Sequence, residues 1–179
     1  MIGVFLGTDD KVPKDCLYRF IDEFDLKNVA YVTSLKTILQ GFRLPGEGQV
    51  VDRVMEKFGL KFTADNPDGT DGCQGPMTAE AVYLLSYATM MMQTSLHNPN
   101  AVKSKMTLED FSKMIKGING GQNLNEMFVK KIYETVEREP FTLNEDDDAR
   151  LKQESANAHS EKRKKELLDK EAQSIVMRG

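Results

Sequence analysis

Residues 78–96 read TAEAVYLLSYATMMMQTSL. A helix over this stretch carries apolar side chains on nearly every side, which marks it as the central, buried helix around which others pack. Its apolar run, 81–92, is broken by Ser86 and Thr89 and falls well short of the ~20 residues that a membrane span needs. To either side the helical period recurs. Leu17, Phe20, Ile21 and Phe24 stand at i, i+3, i+4, i+7, as do Leu35, Ile38, Leu39 and Phe42, and Val51, Val54, Met55 and Phe58. Asn98-Pro99-Asn100 closes the central helix, and Thr107 with Asp110 three residues on forms a capping pattern before Leu108, Phe111 and Ile115. A glycine-rich turn over 117–121 precedes Val129, Ile132, Tyr133 and Val136, which predict a last core helix stopping at Pro140. No stretch alternates with period two. The fold class is all-α, with short connections and one longer polar loop over 63–75.

With 179 residues, 40% apolar and 29% charged, the chain fits one globular domain and an appendage. The composition changes near residue 144: an acidic run, 145–148, leads into 152–170, dense in both charge signs. Leu167, Leu168, Ile175 and Val176 supply a narrow apolar stripe there. The expected division is a core domain over 1–143 and a charged helical linker or extension over 144–179. The net charge of -4 and the lack of a basic patch argue against nucleic acid or anionic lipid as a partner of this segment. Cys16 and Cys73 stand in no metal or redox spacing, and the short apolar opening, 2–6, is cut by Thr8, Asp9, Asp10 and Lys11. A reducing, cytosolic setting with no signal peptide and no transmembrane segment is expected.

Chemistry that can be tested by pattern is missing. His97 and His159, the only histidines, have no second His or Cys at ligand spacing, so no metal site is expected. The loop over 65–72 has calcium-loop flavour, yet a glycine at its sixth position puts Ala64 or Pro67 at the first, where a carboxylate is required. There is no nucleophile elbow and no phosphate-cradling G-x-x-x-x-G-K, so neither a cofactor nor nucleotide hydrolysis by the chain itself is expected.

Two segments remain. In Phe42-Arg43-Leu44-Pro45-Gly46-Glu47 a helix ends, a tight turn follows, and a carboxylate opens the next helix. Alone, that carboxylate reads as a favourable partner of the helix dipole. In residues 83–98 a tyrosine and methionine stripe reads, alone, as core.

Together and in this order, the two resemble the signature motifs of the Sec seven domain, the catalytic module of Arf guanine nucleotide exchange factors. Residues 42–47 with Gln49 and Asp52-Arg53 match the first motif. Residues 94–99 with Lys105-Met106-Thr107, Asp110-Phe111 and Gly117-Ile118-Asn119 match the second, and the likeness runs over about 2–141. The resemblance implies a right-handed, superhelical multi-helix bundle around the buried central helix. It makes Glu47 a glutamate finger that enters the phosphate and magnesium site of an Arf-family small GTPase, with Phe42, Arg43, Leu44 and Gly46 beside it in the interface. An apolar groove lined by Tyr83, Tyr87, Met90 and Met91, with Asn98 as a polar contact, would hold the switch regions of the GDP-bound and nucleotide-free GTPase. The implied activity is exchange without covalent chemistry, in vesicle trafficking. The setting would be cytoplasmic and peripheral to Golgi or endosomal membranes, with recruitment through parts outside this chain. The alternative is a non-catalytic helical scaffold for an Arf-like GTPase, which would have no physical need of Glu47.

Several positions depart from the family pattern. Gln93 stands where Asn is usual, Gly48 where Ala is common, and three methionines run over 90–92. Gly48 loosens its helix by ~1 kcal/mol relative to alanine. In members sensitive to brefeldin A, a Tyr-Ser pair and a later Asp accompany the response. Here Tyr87 is followed by Ala88 and the later position is Ser95, which implies a weak response or none. The family's first third, before the segment matching 2–7, has no counterpart here: either the chain is a fragment or its domain is cut down. Ile2, Val4, Phe5 and Leu6, with the Leu17, Phe20, Ile21 and Phe24 face, are then expected to leave apolar surface uncovered.

Overall fold

The chain's computed structural model describes the backbone of residues 11–41, 48–97 and 105–141, and side chains over 15–41, 51–97 and 105–141. Among the described residues there are six helices: α1 (Lys11–Asp22), α2 (Tyr31–Gly41), α3 (Gly48–Asp65), α4 (Ala79–His97), α5 (Leu108–Met114) and α6 (Glu126–Arg138). The only pairings of strand type among them are two isolated bridges, Thr70 with Gln74 and Asn119 with Gln122. The fold is all-α.

The apolar stretch does form the middle of the structure. Ala81, Val82, Leu85, Ser86, Ala88, Thr89, Met92 and Leu96 of α4 are buried, and α3 packs along this helix more extensively than any other pair of helices. Gly59 makes that approach possible, since a β-carbon there would lie 2.5 Å from the carbonyl oxygen of Ala79. Leu35, Ile38 and Leu39 from α2, Val54, Met55, Phe58 and Phe62 from α3, and Phe128, Val129, Ile132 and Val136 from α6 are buried as well. Both later helices begin on a side-chain cap. Thr107 and Asp110 close a reciprocal capping box on α5, and Asn125 Oδ1 accepts from the Met127 and Phe128 amides of α6.

The boundaries differ from the periodic reading in two places. Helix α1 ends at Asp22, so Phe24 lies beyond it, its ring meeting that of Phe20 edge-on with centroids 5.3 Å apart. Of the expected apolar face, Leu17 and Ile21 are fully buried while Phe20 remains 41% exposed. Helix α3 continues to Asp65, so the polar loop begins at Asn66 and not at Thr63. Phe62 fills the core in that extra turn, and Asn66 Nδ2 stops it by donating to the Phe62 carbonyl at 3.0 Å.

The loop from Asn66 to Thr78 fastens three separate parts of the chain. Asn66 accepts from the Asn28 amide at 2.9 Å and donates to the Leu26 carbonyl at 3.0 Å. The Asp71 carboxylate accepts from the Tyr31 amide at 3.0 Å, capping α2 from 40 residues away in the chain, and pairs with Lys131 of α6 at 2.8 Å. Gln74 Oε1 accepts from the Asn125 amide at 2.8 Å, and Asn119 bonds both the Thr78 amide and the Pro76 carbonyl. Asp71 and Asn28 achieve this at φ 59° and 58°, a left-handed conformation that Asp and Asn tolerate better than other non-glycine residues.

Tyr31 joins the loop to the core. Its amide is held by Asp71, its ring meets Phe58, Phe62 and Phe128 at centroid distances of 6.2, 5.8 and 5.9 Å, and its hydroxyl donates to Ser86 at 3.3 Å with Thr89 at 3.4 Å. Burial drives the phenol's pKa well above its ordinary value, against the opposing effect of the two hydroxyls. Ser86 and Thr89 each donate to the preceding turn, to Val82 and Leu85, at 2.7 Å, so they keep a partner if the phenol is removed. Tyr31→Phe should therefore cost about 1 kcal/mol, and Tyr31→Ala, which also empties the aromatic cluster, about 3 to 5 kcal/mol. Urea unfolding of both variants measures the two costs.

Candidate functional site

Helix α4 is not buried all round. Tyr83, Tyr87, Met90 and Met91 fall at i, i+4, i+7 and i+8, one face of a helix. On that face Met91 is 57% exposed, while the other three are half-buried. Leu84 is 40% exposed. Opposite, α3 presents Asp52, Glu56 and Leu60 at a spacing of four. Together with Ala79, Glu80 and Tyr83 they line a groove of about 400 Å³, and Leu60 is 50% exposed. The result is a strip of aromatic, aliphatic and thioether surface with a carboxylate edge.

One carboxylate oxygen organises the aromatic part. Tyr83 donates to Asp52 Oδ1 at 2.6 Å and Tyr87 donates to the same atom at 3.0 Å. The rings meet edge-on, with centroids 5.2 Å apart and planes at 73°. The bonded Asp52 carboxylate raises the pKa of the Tyr83 phenol from its ordinary value. Burial first, then the same carboxylate, raises that of Tyr87. Both hydroxyls stay protonated donors at neutral pH.

Of the residues expected from sequence, Tyr83, Tyr87, Met90 and Met91 thus share one face. Phe42, Arg43, Leu44, Gly46, Glu47 and Asn98 lie outside the described residues; Glu47 directly precedes Gly48, the first residue of α3. Asp52, Leu60 and Leu84 were not among those expected. Asp52 falls within the first motif, but only the pairing of α3 with α4 reveals that it reaches the tyrosines. Among the described residues there is no group of three or more metal-ligating side chains, and no helix is long and apolar enough to cross a membrane.

The family model for the Sec7 domain matches residues 1–141. The chain belongs to the Sec7 domain family. It is 35% identical over 177 residues to human brefeldin A-inhibited guanine nucleotide-exchange protein 1, a match that covers 98% of this chain and 9% of that protein. The chain therefore spans about a tenth of the length of such curated relatives. Among solved structures, it resembles a chimeric protein with the Sec7 domain of Rickettsia prowazekii RalF and the capping domain of Legionella pneumophila RalF. That likeness has a TM-score of 0.72 and 41% identity, covering 80% of this chain and 39% of that one. It also resembles the Sec7 domain in a structure of ARF1-GDP bound to a Sec7 domain complexed with brefeldin A, with a TM-score of 0.68 and 32% identity, covering 80% and 69% of the two chains.

Within this Sec7 domain, several polar residues of the second motif bond to the domain's own backbone. Ser95 Oγ accepts from the Met106 amide at 2.8 Å, and the Tyr133 hydroxyl donates to the Met106 carbonyl at 2.9 Å. His97 Nε2 lies 2.7 Å from the Val136 carbonyl. Thr107 and Asp110 make the capping box of α5, and Asn119 bonds the Thr78 amide and the Pro76 carbonyl. The side chain of Ala88 is 5% exposed. Gln93, the departure from the usual Asn, is the exception: its Oε1 is buried with no hydrogen-bond partner among the described residues. An unpaired buried carbonyl oxygen costs about 1 to 3 kcal/mol. Gln93→Leu, which keeps the volume and removes that oxygen, should leave stability unchanged or raise it by up to about 1 kcal/mol. A fall in the midpoint of thermal unfolding would show that the oxygen is paired in solution.

Proposed function

We propose that this Sec7 domain promotes GDP release from an Arf-family small GTPase by placing Glu47 against the phosphate and magnesium site, while the groove between α3 and α4 holds the switch regions. The observation that carries this reading is the apolar strip left exposed on the helix that otherwise forms the core. Tyr83, Tyr87, Met90 and Met91 lie along it, and large apolar side chains kept at the surface beside a groove suit a protein partner. Methionine-rich surface adapts to a partner that changes shape. The names of relatives as guanine nucleotide-exchange proteins, and the neighbouring structure of ARF1-GDP on a Sec7 domain, support the choice of partner.

In this reading Phe42, Arg43, Leu44 and Gly46 bind the partner beside the finger, and Asn98 adds a polar contact. Glu47 works by charge: its carboxylate repels the nucleotide's phosphate, displaces magnesium and takes over the lysine that held the phosphate. Like charges ~4 Å apart at an effective dielectric constant of ~20 cost about 4 kcal/mol, which is about a thousandfold in rate. No covalent bond is made or broken. Residues 1–143 perform the exchange and 144–179 form a charged helical extension. The parent protein acts in vesicle trafficking in the cytoplasm, peripheral to Golgi or endosomal membranes, recruited by parts outside this chain. Brefeldin A inhibits exchange weakly or not at all, because Ala88 and Ser95 stand where sensitive members carry Ser and Asp.

Glu47→Lys should lower the GDP release rate by about a hundredfold or more while still forming a complex with the GTPase, since the groove supplies the affinity. Release of a fluorescent nucleotide, with and without brefeldin A, and complex formation by gel filtration measure both properties. Release at the parental rate would refute the role of Glu47. A parent chain that binds the GTPase but never accelerates release would instead be a scaffold.

A further inference from the structure

We propose that Asp52 is a positioning residue for the GTPase-docking surface: its carboxylate holds the hydroxyls of Tyr83 and Tyr87, and so fixes the Tyr83 ring as a wall of the groove and the Tyr87 ring beside it. The inference deepens the proposed function and rests on it.

The geometry is specific to this residue. Asp52 is exposed on α3, yet its Oδ1 is the common acceptor of two phenols one turn apart on α4, at 2.6 and 3.0 Å. Hydrogen bonds to a charged acceptor are stronger than neutral ones. Two of them converging on one atom leave each ring little freedom to turn its hydroxyl elsewhere. The edge-on contact between the rings, with centroids 5.2 Å apart, follows from that shared anchor. Without it, two half-buried phenols would each seek water, and a partner would have to order both rings on binding, at a cost in affinity.

The bond also crosses between elements. Asp52 lies in the second turn of α3, counted from Gly48, and the tyrosines belong to α4, so the pair of bonds ties the start of α3 to the middle of the core helix. Nearby carboxylates do not substitute for it. Glu56, one turn further along α3, accepts from Tyr18 of α1 at 3.4 Å, and Glu80 lines the far end of the groove with Leu60 and Ala79.

A positioning residue acts on binding, so its loss should appear in KM and not in kcat. Steady-state exchange on an Arf-family GTPase should show Asp52→Ala raising KM about tenfold with kcat changed by less than about twofold. Asp52→Asn keeps the acceptor oxygen but not the charge and should recover most of that loss. In a Tyr83→Phe/Tyr87→Phe background, which removes the hydroxyls and keeps the rings, Asp52→Ala should have no further effect.

A spectroscopic readout is independent of the GTPase. The chain has five tyrosines and no tryptophan, and a carboxylate bonded to a phenol quenches its emission, so Asp52→Asn should brighten tyrosine fluorescence while the thermal midpoint stays near that of the parent. If the parent accelerates release and Asp52→Ala matches it in KM, or if Asp52→Ala still raises KM in the double-phenylalanine background, Asp52 does not act through the tyrosines and the proposal falls. If the parent accelerates no release, the proposed function itself fails, whatever the fluorescence shows.

Discussion

Tyr31 carries a hydroxyl into the fully buried core, and most of the described fold can be understood from how that is made tolerable. A phenol buried among Phe58, Phe62 and Phe128 needs a hydrogen-bond partner. The core helix supplies it with two hydroxyls, Ser86 and Thr89, in a stretch otherwise nearly free of polar atoms. These are the same two residues that interrupt the apolar run of α4. The residue whose side chain meets them also opens α2, where Asp71 caps its amide. Core, helix start and polar loop therefore meet at one side chain. Displacing it disturbs α2, α3, α4 and α6 together.

The loop from Asn66 to Thr78 extends that anchoring with polar contacts. Its partners come from the segment before α2, from the turn before α6 and from α6 itself, so a stretch without helix does the work of a staple between distant parts of the chain. On another face of α4, Tyr83 and Tyr87 meet α3 through Asp52, and Met91 is exposed. Close approach at Gly59 brings the two helices together at one end, and the Asp52 bonds join them further along. Between these two fastenings lies the groove.

The helices and the caps close to them in sequence were legible beforehand, because they depend on local rules. A period of 3.6 residues identified α1, α2, α3 and α6, the nearly unbroken apolar stretch identified α4, and the Thr107 and Asp110 pattern announced the box that begins α5. What depends on residues far apart could not be read. Asp71 caps a helix 40 residues earlier, and nothing in the composition of a Gly, Asp and Asn loop distinguishes such a cap from a solvated turn. The overrun of α3 to Asp65 has the same origin, since Phe62 joins α3 to the core through Tyr31 and Phe58. At the site, Tyr83, Tyr87, Met90 and Met91 read as a core stripe from their pattern and as a groove only through the family resemblance, because hydrophobicity alone cannot say which side of an apolar helix remains uncovered. Asp52 was hidden by distance: 31 and 35 residues separate it from its two partners. The bonds that Ser95 and His97 make within the domain show how a motif can owe its residues to packing as well as to recognition.

The central claim is that this Sec7 domain discharges nucleotide from an Arf-family GTPase through the groove between α3 and α4. The direct measurement is the release of fluorescent GDP from purified Arf proteins at increasing concentrations of this chain, well below that of the GTPase. The account predicts a release rate that rises in proportion to the chain, with each molecule acting many times, for at least one Arf protein. Release that stays at the spontaneous rate for every Arf protein, even with the chain in excess, would contradict it.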